Sequence, residues 1–277
     1  MTTEKIGSEG FKWFFGKVED RDDPLKLGRC RVRVEMVHDV ENAKKIRTSD
    51  LPWAVPIMPL LGASYKQIGL APVGPIVGTT VFGFYMDGEE SQLPIILGTL
   101  PGISNKLNDV KDLAREISTL NKALLGPEPQ SAYRAKYPYN KVFSSESGHV
   151  FEIDDTPNFE RLHQYHKSGT YTEVNAAGDH VQKIVGDGYE IIAKNNTVYV
   201  QGNVNIVVKG NANYTVEGNM NLNVGGSMNV TVGGETNVRY NSNLREYIGG
   251  DYYLRKKAGQ TDFTCPADVR NSGTDCS

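Results

Sequence analysis

Glycine stands at 202, 210, 218, 226 and 234, one at every eighth residue of the stretch "VQGNVNIVVKGNANYTVEGNMNLNVGGSMNVTVGGE". The same step leads back from Gly202 through Lys194 to Gly186 and Gly178, and forward from Gly234 to Ser242, Gly250 and Ala258. The sixth residue after each repeat position is apolar in unit after unit: Val200, Val208, Val216, Val224, Val232. The fourth is mostly apolar as well, as at Ile206, Tyr214, Leu222 and Val230. Odd offsets are mainly polar, among them Asn205, Asn213, Asn221, Asn229, Lys209 and Glu217. Alternation of this kind marks a strand with one buried face. Eight is even, so the alternation passes through every repeat without flipping face. Gly202, Gly210, Gly218, Gly226 and Gly234 share parity with the apolar face. They predict a corner, where a side chain would collide or a positive φ is needed.

A segment of six to eight residues buries too little by itself and leaves open edges. A single-chain β-solenoid needs about 20 or more residues per turn, so this period is too short to close one. The geometry that satisfies the repeat is three identical chains wound about one axis, each forming a wall of a triangular prism. Val200, Ile206, Val208, Tyr214, Val216, Leu222, Val224, Val230 and Val232 are then the trimer core.

The 277 residues leave room for about two domains. An apolar content of 39% with 29 glycines suits a modest core joined to a long repetitive part. Net charge is -3, which gives no global electrostatic case for nucleic acid or an anionic membrane. No run of apolar residues is long enough for a transmembrane helix. "MTTEKIGSEGFKWFF" lacks the basic and apolar regions of a signal peptide, so folding in a cytosol is expected. Cys30, Cys265 and Cys276 make no disulfide framework.

Residues 11–100 read as all-β. Strands are expected from Trp13 to Glu19 and from Arg29 to Val37, with a turn at Asp22-Asp23-Pro24 between them. Further strands lie in "VGPIVGTTVFGFYMD" and "LPIILGTL". Five or so short strands suggest a Greek-key barrel of the OB type. The segments "FKWFFGKVEDRDDPLKLGRCRVRV", "LPWAVPIMP", "VGTTVFGFYMDG" and "IILGTLPG" resemble the N-terminal OB domain of the central spike proteins of contractile-tailed phages. Residues 147–191 resemble the first part of the same family's β-helix. VgrG proteins of type VI secretion share that layout. The resemblance covers most of 11–100 and 140–258. It implies an OB domain seated on a trimeric baseplate hub and a needle pointing at the target envelope.

The expected fold is therefore all-β: an OB-fold barrel followed by an intertwined trimeric β-helix with octad repeats. The expected domains are a hub-binding OB domain at 1–100, a helix and extended linker at 101–146, and the needle at 147–277. Members of the type that carry a tail lysozyme hold that domain between OB fold and needle. Here "KLNDVKDLAREISTLNKALLG" has the apolar spacing of one helix ended by Gly126-Pro127, followed by the extended "PEPQSAYRAKYPYN". That segment is too short to fold as a lysozyme.

No catalytic, cofactor or metal residue is assigned. Asp112 and Glu116 lie four apart among Lys111 and Arg115, the pattern of a solvated helix face. His163 and His166 have a spacing that suits ligation on a helix, but on a strand they face opposite sides. Arg29, Arg31 and Arg33 share one strand face, open to readings as a nucleic-acid patch, a protein-facing stripe or a solvent face. Without interleaved aromatics no nucleic-acid partner is expected. Some spikes of this class end in a His-x-His that holds iron; no histidine follows His180 here. The resemblance thus implies a blunt trimeric end capped by a separate PAAR-like tip protein, for which Phe263, Cys265, Pro266 and Val269 are contact candidates. The expectation is a structural, non-enzymatic central spike in the virion's tail baseplate: a homotrimer that anchors to the hub and pierces the outer membrane. The alternatives are a VgrG-type or tailocin spike, or an envelope-degrading β-helix enzyme.

Overall fold

A computed structural model describes residues 10–35, 37–38, 46–60, 62, 65–102 and 129–253. The expected linker helix, with Asp112 and Glu116, and the four tip candidates lie outside the described residues. The chain divides into two compact units, 1–195 and 196–277.

The first unit opens with a closed five-stranded barrel of OB type. Its strands are β1 (Lys12–Asp20), β2 (Cys30–Val34), β3 (Trp53–Pro56), β4 (Thr80–Tyr85) and β5 (Pro94–Thr99), in the order β1-β2-β3-β5-β4. All neighbours are antiparallel except β3 and β5, which run parallel. Alternation sends Phe14, Val18, Val32, Val34, Val81, Tyr85 and Ile96 inward, with Cys30 and Ala54 completing the core. Burial pushes the Cys30 thiol up to about 11, so it packs as a small apolar side chain. A Cβ at Gly83 would run into the Ile95 carbonyl and the Phe14 ring, so only glycine lets β4 and β5 pair here. β2 stops at Val34 rather than reaching Val37, because the Val34 carbonyl accepts from the amides of Val37 and His38 and turns the chain.

Five more strands form an antiparallel meander: β6 (Asn140–Ser144), β7 (Val150–Asp154), β8 (Arg161–Tyr165), β9 (Tyr171–Val174) and β10 (His180–Lys183), in the order β10-β9-β8-β7-β6. Because β6 begins at Asn140, the boundary expected at 147 falls inside this sheet. The expected extended linker is irregular over 129–139, yet it is tied to one sheet face. The Ala132 amide donates to Glu173, the Lys136 amide donates to Thr156, and the Tyr133 ring lies 5.0 Å from the Arg161 guanidinium carbon. Arg21 of the barrel donates two hydrogen bonds to Glu146 of the β6–β7 turn, at 2.5 and 2.8 Å.

Candidate functional site: the octad stripe

After Lys183 the chain enters no further strand ladder among the described residues, and 184–253 is exposed throughout. It does keep time. The backbone bends at 185–186, 193–194, 201–202, 209–210, 217–218, 225–226, 233–234, 241–242 and 249–250, once per octad and always at the repeat position. Between bends it runs without helix or intrachain strand pairing. The expected corners are therefore present in the backbone.

Within one chain the stripe residues split into two levels with the same period. Val200, Val208, Val216, Val224 and Val232 are 44–53% exposed, whereas Ile206, Tyr214, Leu222 and Val230 are 65–81% exposed. None is buried by its own chain. Patches of this extent mark association surfaces. The reason for glycine differs in part from the sequence expectation. None of Gly202, Gly210, Gly218, Gly226 and Gly234 has a positive φ, and a Cβ at any of them would meet nothing within 4 Å. Backbone strain is thus not what requires glycine at these corners.

The arginine trio resolves into internal pairs. Arg29 donates to Asp23 Oδ1 at 2.7 Å, Arg33 donates to Glu19 at 2.6 and 2.9 Å, and Arg31 lies 3.4 Å from Asp20. Arg31 also covers the Trp53 ring at 4.5 Å and donates to the carbonyls of Thr48, Ser49 and Leu51. Hydrogen bonds from Arg29 hold the Asp23 carboxyl well below the usual range, against its burial and with help from the amides of Leu25, Leu27 and Arg29. These cations are engaged within the barrel, so neither a free basic stripe nor a solvent face describes them.

Sequence reasoning missed a buried ionic cluster. Cross-strand register aligns Glu152, His163 and Glu173 on neighbouring strands. Arg161 donates to Glu152 and to Glu173, the latter at 2.8 Å, and all three are buried. His163 Nδ1 lies 3.1 Å from Glu173. Burial alone would raise the Glu173 carboxyl, but His163 and Arg161 beside it bring it down to about 2. The usable signal was parity: Glu152 with Asp154 on β7 and Arg161 with His163 on β8 stand at alternate positions, and Glu173 shares their face on β9. His166 lies beyond β8, with its ring 4.4 Å from that of His149 and hydrogen-bonded to Ser168. The two histidines thus make different contacts, and they do not share a strand. Among the described residues no group of three or more His, Cys, Asp or Glu could hold a metal ion, and no helix is long and apolar enough to cross a membrane.

Known proteins align with this chain. The family of the Gp5 N-terminal OB domain matches residues 37–114, which takes in β3, β4 and β5. The chain is 36% identical over 266 residues to Protein Gp5 of Vibrio phage KVP40, covering 71% of this chain and 63% of that one. It is 44% identical over 100 residues to the pre-baseplate central spike protein Gp5 of Enterobacteria phage T4, covering 35% of this chain and 17% of that one. The chain thus spans less than two thirds of the length of either relative.

Proposed function

We propose that this chain, homologous to the Gp5 central-spike proteins of phages and carrying their OB domain, is a structural spike of a contractile tail baseplate. The observation that carries the reading is the octad stripe: nine bends at period eight, with apolar residues that a single chain leaves exposed. Three copies wound about one axis would bring Val208, Val216 and their equivalents together and hydrogen-bond the unpaired backbone between chains. The product is a stiff prism without hinges, suited to transmitting the thrust of sheath contraction to an outer membrane. In this reading the OB barrel anchors the spike to a hub protein. The C-terminal residues, including Phe263, Cys265, Pro266 and Val269, receive a PAAR-like tip. The role is mechanical and needs no catalysis. Both named relatives are phage proteins, which favours a virion over a secretion apparatus.

Tails purified from infected cells test this. Quantitative mass spectrometry should find the chain in three copies per tail, and cryo-electron microscopy should find it on the axis at the distal end. Absence of the chain from tails would sink the reading.

A further inference from the structure

A barrel this small is expected to be apolar inside and polar outside, yet one half of this wall is aromatic. Phe11, just before β1, and the outward-facing Trp13 and Phe15 of β1 are 42%, 54% and 59% exposed. Register extends the row across four strands: Trp13 faces Phe84, Phe84 faces Ile95, and Ile95 faces Val55. Phe15 faces Phe82 in the next row. The rings brace one another, with Trp13 stacked on Phe82 at 5.4 Å and 5° and Phe11 edge-on to Phe84 at 4.7 Å. The other half of the wall, on β2, holds Arg31 and Arg33 with their acidic partners. The two aromatic rows carry no charge of their own: Lys17 of β1 is exposed one row further on, and between residues 51 and 86 only Lys66 is charged.

We propose that this aromatic belt on β1, β4, β5 and β3 is the surface through which the OB barrel docks a different, uncharged apolar face of a baseplate subunit. The proposal rests on the spike reading and names the surface that reading left open. Complementarity decides the chemistry: a partner bringing charge to the belt would bury it unpaired at a cost of several kcal/mol, so the facing surface is neutral. Area decides the rank. At 150–250 Å² per aromatic side chain, the half-exposed rings of β1 offer roughly 300 Å², against about 800 Å² per partner in a standard interface. The belt is thus the dry core of an interface, enriched in the residues that dominate binding energy. Symmetry argues against self-pairing. Belt against belt is a two-fold contact, which joins copies in pairs and leaves one belt of a three-chain spike open. Single-stranded nucleic acid needs free ring faces beside cations, and here the rings cover each other.

The test uses full-length chain, alone and in tails. Trp13→Glu with Phe15→Lys, and Phe15→Lys alone as the milder variant, should leave the isolated protein with wild-type mass and a cooperative melt, lowered by the lost ring contacts with Phe82 and Phe84. Both should lower its content in purified tails at least tenfold. In a Trp53→Phe background, Trp13 fluorescence of the isolated protein should be open to acrylamide and unmoved by phosphatidylcholine or phosphatidylglycerol vesicles. Benzoyl-phenylalanine replacing Phe15 should cross-link in tails to a different protein, at a peptide poor in charged residues. Wild-type incorporation of the variants overturns the proposal. So does protection of Trp13 in the isolated protein or a cross-link to the chain's own peptide, either of which assigns the belt to a second copy. A vesicle-induced blue shift overturns it in favour of a membrane. If the wild-type chain itself is missing from tails, the spike reading falls, and this proposal with it.

Discussion

Val216 and Asn213 lie three residues apart and are both exposed in a single chain, so a charge at either should be harmless to a monomer. The three-chain account separates them. Val216→Asp places three carboxylates near one axis, each costing several kcal/mol when buried unpaired, whereas Asn213→Asp faces solvent. Thermal melts should show loss of the assembly for the first and a shift of a few degrees for the second; similar melts would refute the inward assignment. Glu173 supplies a test inside one chain. Its folded carboxyl sits near 2, below the ordinary 4.5. Its contribution is therefore present above about 4.5 and lost as pH falls through about 2, on the order of 3 kcal/mol. Glu173→Gln should be less stable than wild type at pH 7, and the gap should close on acidification between those limits. A constant gap across that range would show that Glu173 does not carry the linkage.

Glycine separates the two kinds of element. At Gly83 the obstruction is in the same barrel, so Gly83→Ala should destabilise the OB unit by about 1–3 kcal/mol, read by denaturant unfolding of the whole chain. At Gly218 nothing in the same chain lies within 4 Å and φ is not positive. Gly218→Val should then be silent in any monomeric species and damaging in the assembly. Equal stability of that variant in the assembled state would remove close chain approach as the reason for the repeat. The parts legible in the sequence share one property: their signal is local. Alternation set off by glycine and proline marks β1, β4 and β5, and the octad marks the bends of 184–253. What stayed hidden depends on register between distant segments. The parallel pairing of Val55 with Ile95 has no local signature. Glu152, Arg161 and Glu173 each look solvent-facing until three strands align them. Arg29, Arg31 and Arg33 were visible as a stripe, but Asp23, Asp20 and Glu19 were not visible as their partners.

For the whole molecule, the account rests on one relation between sequence and assembly. In the reading proposed above, a chain that bends every eighth residue and turns its apolar residues outward from itself has its core in other copies of itself. Resistance to SDS without boiling should accompany that arrangement, because interchain ladders leave few places for unfolding to begin. The proposed spike role would give this relation a mechanical purpose, but the relation is tested without it. Sedimentation equilibrium of the purified protein is the direct measurement. The account predicts a single species at three times the 30.5 kDa chain mass, unchanged on dilution to nanomolar concentration. A folded, stable species at 30.5 kDa would contradict it.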